Sequence, residues 1–288
     1  MKTRKKIAAL CLALLMALSM TACGFSAKMA RTAVEMDKIG SFHMDMDLDL
    51  GVGVSLLGQQ SSVDMLIKES MDVCRSPLTI ASDIVTELGG ETQRVLGYLL
   101  PNESGEGYRL FVSTDGGKSW DSKELESAEL SEHTGYSGTL DQLALLAKAA
   151  SSFKKVGTEN VNGSPATRYD GEIEGEYVTQ ALENSGLISS LGEEFGVSLD
   201  AEGLQFSGSI PASIWVDEAS ARIVKYEMDM ADAISSVWDV IVDELVKDES
   251  FAALRSMGLQ LSISKAKVSA TLSRFDEIGE IVLPEGVG

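Results

Sequence analysis

Hydrophobic and polar residues alternate with a period of two along much of the chain, which predicts β-strands. The longest such run extends from Ser41 to Leu56. One face of this strand carries only apolar side chains, namely Phe42, Met44, Met46, Leu48, Leu50, Val52, Val54 and Leu56. The other face carries His43, Asp45, Asp47 and Asp49. The strand therefore predicts a sheet with one face covered by apolar groups and one face in water.

The same alternation predicts a second strand over Val63–Val73 that pairs with the first as a hairpin. Further strands are predicted over Leu78–Leu88, Thr92–Leu100, Tyr108–Ser113, Lys155–Val161, Pro165–Ile173, Ile210–Val216 and Arg222–Met230. Two of the connections, Gly89-Gly90 and Asn162-Gly163, are typical of tight hairpin turns. Parallel pairing needs long crossovers, which this part of the sequence lacks, so we predict an antiparallel meander.

The last predicted strand, Leu259–Leu272, changes its apolar phase halfway. Leu259, Leu261 and Ile263 are odd-numbered, whereas the apolar residues from Val268 onward are even-numbered. One extra residue in the strand moves the side chains to the opposite face, so the pattern predicts a β-bulge near Ser264 to Ala266.

Four segments instead show the spacing of amphipathic helices. They are Ala27–Lys38, Thr139–Phe153, Glu176–Asn184 and Ala233–Lys247. Helices of this kind need an apolar surface to cover. The combined pattern predicts an α+β protein in which helices pack on the apolar face of one antiparallel sheet.

Residues 1–22 are predicted to be a secretory signal peptide. They carry four cations and no acidic residue, and the apolar run Ile7–Met20 is too short to cross a bilayer. The segment ends in Leu18-Ser19-Met20-Thr21-Ala22-Cys23-Gly24, which resembles the lipobox of bacterial lipoproteins. That resemblance implies cleavage before Cys23 and acylation, including palmitate, of Cys23. Two or three acyl chains anchor a protein stably to the extracytoplasmic face of a cell membrane.

The net charge and the cysteine content limit which binding partners and which stabilising bonds the protein can have. The full sequence has a net charge of −20, and without the four signal cations 20 Lys and Arg face 44 Asp and Glu. Nucleic acid is therefore excluded as a partner, since no basic stripe exists to neutralise phosphates. After loss of Cys11 and acylation of Cys23, Cys74 is alone, so stability must come from a core. We expect one large monomeric domain.

Catalytic and metal-binding motifs are lacking in the sequence. The two histidines, His43 and His133, accompany no nucleophile or zinc motif, so we predict neither catalysis nor a cofactor. The spacing of Asp45, Asp47 and Asp49 matches the start of a calcium loop, but Leu50 and Leu56 occupy the positions that require Gly and Glu. These carboxylates are better interpreted as a solvated outer surface.

Three sequence segments in the second half of the chain resemble those of one protein family. They are VGTENVNGSPATRYDGEI over 156–173, PASIWVDEASARIVKYEMDM over 211–230 and FDEIGEIVLPEG over 275–286. With the lipobox and the long strands, they resemble the LolA/LppX/LprG-type envelope lipoproteins. The resemblance implies a strongly curved antiparallel half-barrel, with helices on its concave apolar face and a cavity for acyl chains. It implies three segments: the signal peptide, residues 23–40 with anchor, short tether and first helix, and the sheet domain 41–288 with a helical insertion at about 231–258.

Two functions remain open at this point. The first is a non-catalytic binding module for a hydrophobic ligand, lipid or lipopeptide, held between sheet and helices. Flexible methionines suit such a lining, and its candidates are Phe42, Met44, Met46, Leu48, Leu50, Met65, Ile67, Val224, Tyr226, Met228, Met230 and Trp238. The second is a solid-cored surface protein whose acidic outer face binds a protein partner or cations.

Overall fold

The computed structural model describes residues 28–57, 59–126, 146–147, 149, 153–184, 206, 208–245, 260–284 and 286–287. The predicted signal peptide, Cys23, His133 and most of the helix predicted over Thr139–Phe153 lie outside these residues. No helix in the described part of the chain combines the length and apolar character needed to span a membrane.

Eleven strands form one antiparallel sheet in the described part of the chain. They are β1 (Ser41–Leu56), β2 (Gln59–Arg75), β3 (Leu78–Leu88), β4 (Glu91–Pro101), β5 (Gly107–Ser113), β6 (Asp121–Glu126), β7 (Lys154–Val161), β8 (Ser164–Glu174), β9 (Ser209–Asp217), β10 (Ile223–Asp229) and β11 (Gln260–Ser273). Their order across the sheet is β6-β5-β4-β3-β2-β1-β11-β10-β9-β8-β7.

The sheet consists of two meanders joined at the centre. Strands β1 to β6 form one meander and β7 to β11 form the other, and β1 pairs with β11 between them. The meander prediction therefore holds within each half. The junction of the first strand with the last is a long-range pairing that the local pattern did not predict.

The hairpins follow the predicted turn chemistry. Gly89 and Gly90 have φ angles of 59° and 89°, and Asn162 and Gly163 have φ angles of 52° and 82°. Glycine adopts positive φ without steric cost, and asparagine tolerates it. The hairpin of β1 and β2 is longer than predicted, because pairing continues until Leu56 lies opposite Gln59.

The bulge predicted in the last strand is confirmed. Gly51 lies opposite Lys265, but Val52 lies opposite Ile263, so Ser264 is the extra residue of β11. The shift keeps Val268 and Ile263 on the same face of the sheet although their numbers differ in parity.

Within the described residues, three helices accompany the sheet: α1 (28–37), α2 (Gly175–Asn184) and α3 (Ala231–Leu245). Residues 146, 147 and 149 are also helical and buried. Met29 and Met36 of α1, Val178 of α2, and Ala233 and Val237 of α3 belong to the same hydrophobic cluster as Phe42. The helices therefore cover part of the sheet face that carries Phe42, which we call the inner face.

Helix α1 is fixed to strands from both meanders. Lys28 Nζ donates hydrogen bonds to Tyr169 Oη at 2.7 Å and to Glu218 Oε1 at 2.6 Å. At the other end of the helix, Arg75 Nη1 donates to the carbonyl oxygen of Asp37 at 2.8 Å. These contacts hold α1 against the inner face beside Phe42.

Gly175, the first residue of α2, lies very close to the backbone of residues 206 and 208. A Cβ atom at Gly175 would overlap the carbonyl oxygen of Phe206 and would lie 2.7 Å from that of Gly208. Only glycine allows the backbone of the next strand to approach this closely.

The opposite, outer face carries a small separate core. Trp215 is 1% exposed and packs with Val161, Ala166 and Val224. Arg168 and Lys225 lie over its ring, with the Arg168 Cζ and Lys225 Nζ atoms 5.0 and 4.5 Å from the ring centroid. Trp215 therefore belongs to the outer face and not to the main core.

Candidate functional site

The inner face of β1 changes in burial along its length. Phe42 and Met44 are 0% and 3% exposed and pack into the main core with residues of α1. From Met46 onward, Leu48, Leu50, Val52 and Val54 are only partly buried. We call the first part the covered half and the second part the open half of the inner face.

The neighbouring strand shows the same change. Val73 and Met71 of β2 are 0% and 6% exposed, whereas Ile67 and Met65 are partly exposed and Val63 is 40% exposed. Register places Leu48 opposite Ile67, and Leu50 opposite Met65. The open half is thus a continuous apolar strip on two paired strands.

Glu69 lies where the covered half meets the open half. It is opposite Met46 on β1 and opposite Ile84 on β3, so its side chain belongs to the inner face. The apolar residues Ile67 and Met71 flank it along β2. Burial in these surroundings raises the pKa of the Glu69 carboxyl above its usual value.

Tyr226 lies in the same cross-strand row as Glu69. Met46 is opposite Ala270 on β11, and Ala270 is opposite Tyr226 on β10. Burial, and then the negative charge of Glu69, raise the pKa of Tyr226 to about 12. The Tyr226 hydroxyl is therefore protonated at neutral pH and available as a hydrogen-bond donor.

The predicted lining residues separate into three groups. Phe42 and Met44 are fully packed in the core, so they lie beneath the helices rather than beside open space. Met46, Tyr226, Met228 and Met230 are in the core cluster or pack against it at its margin. The open half holds Leu48, Leu50, Met65 and Ile67. Cys23 and the Trp238 side chain lie outside the described part of the structure.

Val224 does not lie where the alternation predicted. The pairing of β10 with β9 shifts between Ile223 and Lys225, and Val224 packs against the outer-face cluster of Trp215. Ile223, which is 0% exposed, takes the inner position. The reason is a β-bulge. Because Val224 has no partner on β9, the residues before it lie on the opposite face from the one that strict alternation predicts.

Glu69 is a site residue that the sequence analysis missed. Glu69 lies between Ile67 and Met71, at a position of β2 where the alternation predicts an apolar residue. The alternation therefore already indicates that Glu69 is unusual. An acidic residue in an apolar phase marks either a bulge or a buried carboxyl. The uninterrupted register of β2 with β1 and β3 excludes a bulge, so the Glu69 carboxyl faces inward, where it is partly buried.

The outer face is acidic and solvated. Asp45 and Asp47 are exposed, and Asp49 forms an ion pair with Lys265. His43 lies between two carboxylates, with Nδ1 at 2.7 Å from Asp72 Oδ1 and Nε2 at 3.2 Å from Asp45 Oδ2. Among the described residues, no group of three or more His, Cys, Asp or Glu is arranged to hold a metal ion.

Two shallow grooves are lined mainly by residues of the outer face and of the hairpin ends, and the second one also touches Met65. One of about 360 Å³ runs beside Asp170, Ser213, Glu227 and Lys267, whose register places them on the outer face. The other, of about 290 Å³, lies at the ends of the β1–β4 hairpins beside Asp64, Glu87 and Glu91. Both carry charged side chains, so neither suits an acyl chain.

Together, these features define a class of protein. The described part of the chain is an α+β protein with one long antiparallel sheet, whose inner face is apolar, is partly covered by helices, and carries the partly buried carboxyl of Glu69. That architecture agrees with the family resemblance of the sequence.

Solved structures that match the chain include two mycobacterial proteins, one of which is the lipoprotein LppX. LppX from Mycobacterium tuberculosis is 15% identical with a TM-score of 0.45, covering 90% of this chain and 98% of its own. LprF from Mycobacterium bovis is 13% identical with a TM-score of 0.49, covering 92% and 98%. A LolA superfamily protein from Nitrosomonas europaea is 9% identical with a TM-score of 0.19, covering 86% and 90%. No family model and no curated protein sequence matches the chain.

Proposed function

We propose that this chain is a membrane-anchored extracytoplasmic lipoprotein that binds a hydrophobic ligand, a lipid or lipopeptide, without catalysis. In this proposal the sheet is a strongly curved half-barrel, helices lie on its concave side, and the ligand lies between them. The observation that carries the proposal is the open half of the inner face, where paired apolar side chains remain partly exposed.

The size of the open half suits an acyl chain. Six residues separate Leu48 from Val54 along β1, and a strand rises about 3.4 Å per residue, so the strip is about 20 Å long. Its side chains are unbranched or aliphatic and carry no hydrogen-bonding group. Covering them with a ligand gains about 25 cal/mol per Å² of apolar surface.

The charge of the chain supports lipid anchoring through Cys23. A body with a large excess of acidic residues is repelled by an anionic bilayer within about 8 Å at physiological salt. Acyl chains on Cys23 would hold the protein at the membrane against this repulsion. The proposed location is the extracytoplasmic face of the cell membrane.

The test is to purify the protein from its own membrane and to identify copurifying molecules by native mass spectrometry and solvent extraction. Displacement of an apolar fluorescent probe then measures binding after delipidation. We expect Ile67→Asn, in the open half, to weaken probe binding about tenfold, because it removes a buried apolar contact.

Leu66→Asn is the matched control. Leu66 is also partly exposed and adjacent in sequence, but it faces outward opposite Asp49. Probe binding should be the same as in the wild type. If no lipid copurifies and no apolar probe is displaced, the proposal is wrong. A solid-cored protein that uses its acidic outer face to bind a partner or cations would then fit better.

A further inference from the structure

Helix α1 is the described element that follows the proposed lipid anchor most closely. Residues 24–27 separate Cys23 from Lys28, where the described part of the helix begins. Five residues span at most about 18 Å, even when the chain is fully extended. Acyl chains on Cys23 would therefore keep the first turn of α1 within about 18 Å of the bilayer.

Helix α1 is also held firmly on the sheet. Besides the bonds at its two ends described above, the backbone amide of Ile223 on β10 donates a hydrogen bond to Met36 Sδ at 3.3 Å. The amide of Gly40, between α1 and β1, donates to Asp276 Oδ1 at 2.7 Å. Because the helix cannot turn independently of the sheet, contact of one side of α1 with a bilayer orients the whole sheet.

The two sides of α1 differ in exposure. The side that packs on the sheet carries the buried residues Met29, Thr32 and Met36. The opposite side carries Arg31, Val34 and Lys38, which follow the spacing of neighbours on one helix face and are all exposed. Val34 is 53% exposed, so an apolar side chain lies between two cations. We call these three residues the outward side of α1.

The segment that contains α1 is weakly basic in an acidic protein. Residues 28–38 have a net charge of +1, from three cations and two acids. The chain without its signal cations has 20 Lys and Arg against 44 Asp and Glu. The ion pair of Lys38 with Glu35, at 3.0 Å, is exposed and therefore weak, so Lys38 can turn to a lipid phosphate instead. An anionic bilayer, which repels most of this protein, therefore attracts the outward side of α1.

We propose that the outward side of α1 lies on the anionic headgroups of the bilayer that holds Cys23, with Arg31 and Lys38 at lipid phosphates and Val34 between them. The inference rests on the anchoring in the proposed function, but it makes a separate claim about orientation. Because α1 packs on the inner face, this contact turns the inner face of the sheet towards the bilayer. The open half then also faces the membrane, across a gap set by the helix diameter of about 10 Å. A lipid ligand is thus exchanged with the membrane that carries the protein.

The experiment measures which surface of the acylated full-length protein touches the bilayer. The protein is reconstituted into vesicles of phosphatidylcholine and phosphatidylglycerol that include a lipid with a nitroxide quencher on its headgroup. A fluorophore is attached to a new thiol in a Cys74→Ser background, at Val34→Cys or at Asp47→Cys on the outer face. We expect quenching at residue 34 to be at least about threefold stronger than at residue 47, because α1, about 10 Å thick, and the sheet separate residue 47 from the bilayer.

Charge reversal tests the part played by the two cations. Arg31→Glu with Lys38→Glu should lower the quenching at residue 34 at least about threefold, because each cation near an anionic surface strengthens the contact about fivefold. Lys118→Glu with Lys267→Glu is the matched control, since it makes the same change in net charge at two exposed positions outside α1. Quenching at residue 34 should then stay within about 1.5-fold of its original value, because salt screens distant charges.

The outcomes separate the orientation from the anchor. If the acylated protein floats with the vesicles but residue 34 is quenched no more than residue 47, the orientation is wrong and the anchor remains. The same conclusion follows if Arg31→Glu with Lys38→Glu leaves the quenching unchanged, or if the control pair lowers it equally. The outward side of α1 would then be a surface for a protein partner. If the acylated protein does not bind the vesicles at all, the anchor and the orientation are both refuted.

Discussion

Replacing Glu69 by glutamine should stabilise the ligand-free protein at neutral pH. The wild-type carboxylate is partly buried among apolar side chains of β1, β2 and β3, where its charge has lost part of its water and forms no ion pair with the described residues. Glutamine has nearly the same shape and no charge, so it removes the largest part of this cost. Most substitutions in a core destabilise, which makes the expected direction informative.

The magnitude lies at the lower end of the cost of an unsatisfied buried polar group, about 1–3 kcal/mol, because Glu69 keeps some contact with solvent. The glutamine amide is itself polar and keeps part of this cost, so we expect about 1 kcal/mol of added stability. In a chain of this size, 1 kcal/mol corresponds to a rise of about 2–4 °C in the melting temperature. Glu69→Leu should give at least as much, since it also removes the polar atoms.

The gain should depend on pH. The folded-state pKa of Glu69 is raised above the unfolded value of 4.5, so the folded state binds this proton more tightly. The wild type therefore loses stability as pH rises from 4.5 through the folded-state pKa. The advantage of Glu69→Gln should be full above that pKa and should vanish below 4.5.

The assay is urea unfolding followed by tryptophan fluorescence at about pH 8 and about pH 5. The variant should exceed the wild type at pH 8, and the difference should shrink at pH 5. Glu227→Gln, an exposed control on the outer face, should change stability by no more than about 0.5 kcal/mol at either pH. A destabilised Glu69→Gln, or an equal gain at both values, would refute the buried, unpaired carboxyl.

Other predictions concern separate parts of the chain. Asp115→Asn should destabilise the β5–β6 hairpin at pH 7, because hydrogen bonds from neighbouring serines keep the pKa of Asp115 well below 3.8. The stabilising effect of the Asp115 carboxylate is present above pH 3.8 and is lost as the pH falls through the folded-state pKa. Urea unfolding midpoints measured at several pH values will show this loss. Gly175→Ala should cost about 1–3 kcal/mol by urea unfolding, whereas Gly157→Ala, where a Cβ meets open space, should cost less than about 1 kcal/mol. Thr32→Val should raise the melting temperature, because the buried Thr32 hydroxyl lacks a partner in the described structure. Cys23→Ser should release the protein from membranes and abolish palmitate labelling, as cell fractionation and metabolic labelling will measure.

Local features of the sheet could be predicted because they depend on neighbours in sequence. The bounds of β1 follow from strict alternation, and the bulge at Ser264 follows from the phase change in β11. The hairpin turns follow from Gly89-Gly90 and Asn162-Gly163, whose backbones need positive φ. Each of these signals lies within a few residues of the structure that it specifies.

Long-range features could not be predicted in the same way. The pairing of β1 with β11 joins residues more than 200 positions apart, and any apolar strand of suitable length satisfies the local pattern of β1 equally well. Val224 was misplaced because its strand looks regular, although its register with β9 shifts beside it. The shift lies beside the pair of Lys225 with Trp215, and the local alternation of β10 gives no sign of it.

The candidate site shows how one face of a sheet can be tightly packed at one end and partly exposed at the other. At Phe42 and Met44 the inner face is covered by α1. This part of the core therefore stabilises the fold and leaves no room for a ligand. At Leu48 and Leu50 the same alternation continues while the burial decreases, so surface suited to a ligand remains. Alternation sets which face is apolar, and the helices set how much of that face is filled. Glu69 lies between these two regions, where its burial is partial and a charge costs less than it would deeper in the core.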